Sequence, residues 1–443
     1  MEKGTFQNLT PSQFISSTFP NPLKTSPELN PYSNSLRIAV LDSPQQTPNS
    51  PHLAAMLVPK YRENDWIFST DTGHLQLLLN SPEISRLILI GNPPHDNFTS
   101  VYNRSIHYDS TKLEESLKPI LFALSPKSAF KNGLPEIPFV IYEDNVIRSV
   151  SVGNCFGSCV GEMLVENVEI ETHNTETREF RRRLRFKRMP NLVQTEIRII
   201  PETLPSNAGI ENMVFRIDSS SLVHPYLPPM VASLSLVSAY LEERLCSGSR
   251  LRVLCIGVGG GALLAFLQTH FGFQVYGVES DEMVKKIAMQ YFGLVENELL
   301  RVCVGDGIEV IETLARGDNV DGFDKFDSPF DVIMVDLDAS DVRNGIGAPP
   351  MEFVSKKVLL ATKLALHKNG ILVINVIPVC RTFYDYLISE FREVFAEVYE
   401  INVGNDENYV LIATVSPISF DLNDSGNSIM KKLKLTIPKQ YVD

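Results

Sequence analysis

The chain has 443 residues, 44% of them hydrophobic and 21% charged, a balance that buries a sizeable core; at about 150 residues per domain the length allows about three units, read here as two domains plus tails. Its 40 Lys and Arg against 53 Asp and Glu leave a net charge of −13, which excludes a general nucleic-acid coat. No apolar run approaches the roughly 20 residues that cross a bilayer, the N-terminus shows no secretory h-region, and six scattered cysteines do not form a disulfide framework.

Residues 1–35 are rich in Ser, Thr, Pro and Asn without an apolar period and read as a disordered tail. A transit peptide is the alternative, against which Glu2, Glu28 and the shortage of Arg count. Residues 36–222 read as a mixed α+β accessory domain. Arg37–Leu41, Ala54–Val58, Trp66–Ser69 and Arg86–Ile90 are short apolar runs bounded by turn residues, hence strands. Helical spacing occurs near Leu75–Leu79 and across Leu113–Leu124. Phe139–Tyr142, Met163–Glu171 and the ribbon Phe180–Ile200 read as further strands.

Residues 223–416 alternate regularly. Strands Arg252–Ile256, Gln274–Val278, Leu300–Val304, Asp331–Val335 and Ile371–Val376 are separated by helices near Ala262–Thr269, Met283–Tyr291, Ile308–Leu314 and Phe353–Leu366. Apolar runs of about five residues between helices predict a parallel sheet covered on both faces. Val394–Val403 and Tyr409–Val415 close the series as an antiparallel hairpin. The fold expected is therefore α/β, a Rossmann-like seven-stranded sheet with a terminal hairpin. Residues 417–443 read as a C-terminal tail with a basic cluster at Lys431, Lys432 and Lys434.

The first strand of that series runs into Gly257-Val258-Gly259-Gly260-Gly261 and then a helix. Glycines there permit positive φ and close approach of a ligand to the backbone. The next strand ends at Glu279, 22 residues after Gly257, where an acid accepts hydrogen bonds from ribose hydroxyls. The third ends at Val304-Gly305-Asp306-Gly307, where a carboxylate is placed for the amino group of adenine. Gly257, Gly259, Gly261, Glu279, Asp306 and Gly307 are thus the candidate cofactor-binding residues. Gly257, Gly259 and Ala262 also satisfy the dinucleotide pattern, so NAD is weighed; the acid at 306 and the terminal hairpin favour S-adenosyl-L-methionine.

The fourth strand ends in Asp336-Leu337-Asp338-Ala339-Ser340-Asp341. Asp331 starts that strand and reads as structural. Asp336 and Asp338 are the candidate catalytic residues, because a negative lip there holds a cationic sulfonium and orients an amine nucleophile. Asp341 reads equally as a turn or capping residue. Cys155 and Cys159 have no second Cys/His pair, and no metal site is expected. The run Arg181–Arg188 falls in a strand, so a solvated or acid-paired face is expected, with an acidic protein partner as the alternative.

Three stretches carry a resemblance: 58–70 (VPKYRENDWIFST), 191–196 (NLVQTE) and the Gly257–Gly261 cradle. To these are added Asp331–Asp341 and Gly347-Ala348-Pro349-Pro350 with Phe353-Val354. From about Leu36 to Val415 the chain resembles the C-terminal half of the eukaryotic elongation factor 1-alpha lysine and N-terminal methyltransferase family, itself similar to polyamine (spermidine) synthases. The resemblance implies a class I methyltransferase fold and methylation of a protein N-terminal amine, with elongation factor 1-alpha as the protein partner, at a cytoplasmic location. The lack of a long apolar run and the acidic net charge predict no membrane or nucleic-acid partner, and a homo-oligomer stays open. Polyamine synthases typically carry G-G-G-D-G in the cradle and D-S-S-D-P after the fourth strand. Only Asp336 matches the synthase aspartate here. Aminopropyl transfer is the alternative activity, and a cofactor-binding but non-catalytic interaction protein the third reading.

Overall fold

The computed structural model describes residues 4–23, 34–44, 51–94, 101–104, 111–172, 178–202, 209–323, 329–338, 347–378, 380–404, 407–418 and 427–442. Eleven strands precede residue 222 among these: β1 (Phe14–Pro20), β2 (Ser35–Asp42), β3 (Leu53–Leu57), β4 (Arg86–Gly91), β5 (Val101–Asn103), β6 (Phe139–Val140), β7 (Val146–Gly157), β8 (Gly161–Ile170), β9 (Glu179–Phe186), β10 (Val193–Pro201) and β11 (Phe215–Asp218). They form two sheets, β1-β2-β4-β3-β6 and β11-β10-β9-β8-β7-β5. Helices α1 (Trp66–Ser69), α2 (Asp71–Leu79) and α3 (Thr111–Ala123) belong to the first sheet's surroundings.

Three expectations are corrected here. Trp66–Ser69 is a helical turn rather than a strand, because Asp65 caps it by accepting from the Ile67 N–H and Thr70 then caps α2 through the Gly73 N–H. The ribbon Phe180–Ile200 is two antiparallel strands, β9 and β10, folded back at residues 187–192. The expected N-terminal tail contains β1, which pairs antiparallel with β2 from Phe14↔Leu41 to Pro20↔Ser35. Too polar to form a core alone, it is held by the edge of β2. Residues before it are held by buried Arg86, whose guanidinium pairs with Asp42 and donates to the carbonyls of Phe6 and Asn8.

The second half contains α4 (Leu227–Ala232), α5 (Ser238–Cys246), α6 (Ala262–Phe266), α7 (Glu282–Tyr291), α8 (Gly307–Ala315), α9 (Lys356–Ala365), α10 (Arg381–Val394) and α11 (Ser428–Thr436). Its strands are β12 (Arg252–Ile256), β13 (Gln274–Glu279), β14 (Leu300–Val304), β15 (Phe330–Val335), β16 (Leu366–Val376), β17 (Glu397–Asn402) and β18 (Tyr409–Thr414). Their order, β14-β13-β12-β15-β16-β18-β17, is the Rossmann-like class I methyltransferase arrangement, parallel through β16 and antiparallel at the terminal hairpin.

Strand alternation splits the core between the two faces. Val253 and Cys255 pack with Leu241, Leu264 and Leu433 on one side; Leu254 and Ile256 pack with Leu359, Leu387 and Phe391 on the other. The expected C-terminal tail is also corrected. Asn427 caps α11, whose Ile429, Met430 and Leu433 are buried in the first of these cores. Three apolar positions at helical spacing outweigh the polar composition around them.

Candidate active site

The cradle joins β12 to α6. Gly257, Gly259 and Gly261 have φ of +88°, +52° and +80°, a left-handed run that glycine alone adopts without strain. A Cβ on Gly257 would lie 2.0 Å from the carbonyl oxygen of Asp336, so the cradle and the end of β15 approach backbone to backbone. The Gly260 N–H donates to Thr195 Oγ1 at 2.7 Å, which ties the cradle to β10 of the accessory sheet.

Glu279 ends β13 beneath the cradle. Its Oε2 accepts from the N–H groups of Val258 and Gly259 at 3.2 and 3.3 Å, and its Oε1 from the Asp281 N–H at 3.2 Å. Burial raises its pKa and these backbone bonds oppose the rise. Asp306 is exposed and caps α8, with Oδ1 accepting from Ile308 and Glu309 N–H at 2.8 and 3.0 Å. Gly305 and Gly307, not Asp306, reach the cavity described next.

A cavity of about 480 Å³ opens over the carboxyl ends of β12, β13 and β15. Gly257, Gly259, Glu279, Gly307, Asp336 and Asp338 all line it. Gly261 lies behind it, at the start of α6 against Leu294. The accessory sheet closes the opposite wall through Arg188 and Gln194, and the chain before α4 adds His224 and Tyr226.

Asp336 accepts from Tyr226 Oη at 3.0 Å and from Asn375 Nδ2 at 3.1 Å. Burial pushes its pKa up to about 6; the two hydrogen bonds oppose that shift and neighbouring Asp338 adds to it. Tyr226, shielded and beside Asp336, stays a phenol and therefore a donor. Asp338 is raised by burial and pulled back by Arg188, whose Nη2 donates to both carboxylate oxygens at 3.1 and 3.4 Å. His224 stacks on Tyr226 with ring centroids 5.2 Å apart, and burial holds its imidazole neutral, with a pKa near 4. Asp341 lies outside the described residues. Asp331 is structural as expected: it accepts from the Arg252 N–H and pairs with Arg244.

Residue reasoning missed Tyr226, Asn375 and Thr195, and gave Arg188 no role in the site. Asn375 had a signal, a polar residue near the end of the apolar run Ile371–Val376. Thr195 sits within the resemblance at 191–196 without a function attached. The basic run is acid-paired: Arg181 and Arg183 with Glu196, Arg185 with Asp65 and Glu166, Lys187 with Glu162. No group of His, Cys, Asp and Glu arranged to hold a metal occurs among the described residues.

No protein-family model matches the chain. Over 421 residues it is 27% identical to the eEF1A lysine and N-terminal methyltransferase of Xenopus laevis, covering 89% of this chain and 56% of that protein. The human protein of the same name is 27% identical over 409 residues, with coverage of 85% and 53%. The chain is similar in sequence to those methyltransferases. It spans about half the length of the curated relatives it matches. Among solved structures, human methyltransferase-like protein 13 in complex with SAH aligns with 48% of this chain and 92% of its own at 26% identity, with a TM-score of 0.42.

Proposed function

We propose that this chain is an S-adenosylmethionine-dependent methyltransferase acting on a protein amine, the N-terminal α-amine of elongation factor 1-alpha. A cytoplasmic, reducing setting, in keeping with its six free cysteines, is part of the proposal. The observation that carries it is the single cavity in which the glycine cradle, Glu279 and Asp336 face one another. These residues fit the cofactor: a Cβ-free backbone admits it, and Glu279 is an acceptor-only group suited to ribose hydroxyls.

The bound cofactor supplies a methyl group on a cationic sulfonium that leaves as a neutral thioether. Asp336 would accept an N–H of the acceptor amine and orient its lone pair toward the methyl group that the bound cofactor would supply. The carboxylate is itself aimed by Tyr226 and Asn375, one on each oxygen. Transfer of that methyl group would join nitrogen to the methyl carbon as the carbon–sulfur bond broke, and the proton lost from nitrogen would pass to water. An α-amine, with an unperturbed pKa of about 7.7–8.0, is partly neutral near pH 7, whereas lysine at about 10.4 is not. Orientation by a carboxylate therefore suffices for the α-amine without a strong base.

The test is mass spectrometry of purified elongation factor 1-alpha incubated with the protein and isotopically labelled cofactor. Labelled methyl groups on the N-terminal peptide are expected. Label only on lysine-containing internal peptides, or on no peptide, would overturn the reading.

A further inference from the structure

The Arg188–Asp338 pair bears on which amine the site accepts. A diamine held by its neutral, reacting amine still carries a second, charged ammonium, which needs a free carboxylate of its own. Here the second carboxylate is already engaged: Arg188 Nη2 contacts both oxygens of Asp338. The guanidinium lies over the Phe186 ring at 5.2 Å, and both residues line the cavity that holds Asp336. Only Nη2 of the guanidinium is used in these bonds. Nε is buried without a partner, and Nη1 has none among the described residues.

We propose, resting on the methyltransferase reading above, that Arg188 is a specificity-determining residue that selects amines carrying a carbonyl on the adjacent carbon. In an α-amino acyl group the carbonyl oxygen sits beside the nitrogen. With Asp336 and Arg188 lining one cavity, an amine held by Asp336 would offer that oxygen to Nη1 of Arg188, which Asp338 leaves unused. A lysine ε-amine lies at the end of four methylenes and offers no such acceptor, so the guanidinium stays unmatched on the cavity wall. A diamine brings a second cation towards Arg188 and finds Asp338 neutralised. Asp338 accordingly acts by fixing the guanidinium rather than by touching the reacting amine. Two sources share the selected chemistry, a peptide N-terminus and a free α-amino acid. The peptide is the one named here, because its amide carbonyl is satisfied by a single donor while Asp338 retains Nη2.

The experiment measures methyl transfer by the full chain to four acceptors: a lysine-free peptide with a free N-terminus, an N-acetylated peptide with one lysine, glycine, and 1,4-diaminobutane. Wild type, Arg188→Met and Arg188→Lys are compared, with S-adenosylhomocysteine binding as the check on folding. The wild type is expected to prefer the free N-terminus. Arg188→Met should lower kcat/KM for that peptide by about 10- to 100-fold, mostly through KM, and raise transfer to the diamine as Asp338 is released. Arg188→Lys keeps the charge on Asp338 but not the fork, so it should lose the peptide preference while still rejecting the diamine. An unchanged acceptor ranking in both variants overturns the inference and leaves the methyltransferase reading standing. A wild type that prefers glycine overturns the peptide as source, and one that methylates none of the four overturns both.

Discussion

Asp336 is a carboxylate whose position costs stability. Its pKa rises to about 6 in the fold, so between its unfolded value near 4 and 6 the unfolded chain binds fewer protons than the native one. Native stability therefore falls as pH rises through that window, and the full loss persists above it. Asp336→Asn removes the charge while keeping the shape. The new amide has a partner, because Asn375 Oδ1 is buried and unpartnered and a turned amide presents it as an acceptor. The variant should gain stability relative to wild type at pH 8 and lose that advantage towards pH 4, as followed by denaturant unfolding across pH. Its turnover should fall by about 100-fold with little change in cofactor affinity. Undiminished turnover would assign Asp336 to loop shape alone. Gly257→Ala fails for a different reason. Positive φ adds a strain of about 1–2 kcal/mol, and the new methyl meets the Asp336 carbonyl, so calorimetric binding of S-adenosylhomocysteine should be lost.

What was legible in the sequence lies within single elements. The turn at Gly257–Gly261, Glu279 at the end of the next strand and Asp336 at the end of the fourth each announce themselves within one strand and its loop. The residues that were missed reach the site from far along the chain: Tyr226 is 110 residues from Asp336, Thr195 is 65 from Gly260, and Arg188 is 150 from Asp338. Local periodicity carries no information about such pairs. Tertiary support also explains β1 and α11, whose composition is that of a tail and whose order comes from the surfaces they cover. The bond from Gly260 to Thr195 gives a test of β10 as part of the cofactor site. Thr195→Val keeps the volume and β-branching but leaves a buried N–H unpaired, a loss of about 1–3 kcal/mol. Cofactor binding should weaken although the residue lies outside the seven-stranded sheet; an unchanged affinity would show that the cradle holds its shape without β10.

The two halves of the molecule are joined by a shared hydrophobic cluster. Phe180, Leu184 and Ile197 of the second accessory sheet pack against Val284, Ile287 and Phe292, on and just after α7. Exposing those last three side chains alone would cost on the order of 5–9 kcal/mol, comparable with the 5–15 kcal/mol that stabilises a typical protein. Polar contacts cross the same boundary: Arg182 donates to the Tyr291 carbonyl, and Asp281 accepts from the Cys159 and Val160 N–H groups. The first sheet is tied in through Asp65, which caps the helix bearing Trp66 and pairs with Arg185 of β9. Trp66 is the single tryptophan of the chain, and it is buried. Its fluorescence thus reports on the part of the molecule farthest in sequence from the cofactor cradle. If the halves unfold together, the fluorescence transition on heating should coincide with the loss of far-ultraviolet dichroism, to which the helices of the second half contribute most. On the proposed function, saturating S-adenosylhomocysteine would bind only the native state and should raise both midpoints by the same amount. A fluorescence transition that comes earlier and ignores the ligand would show instead that the first sheet unfolds on its own, with the Asp65–Arg185 pair too weak to couple it to the seven-stranded sheet.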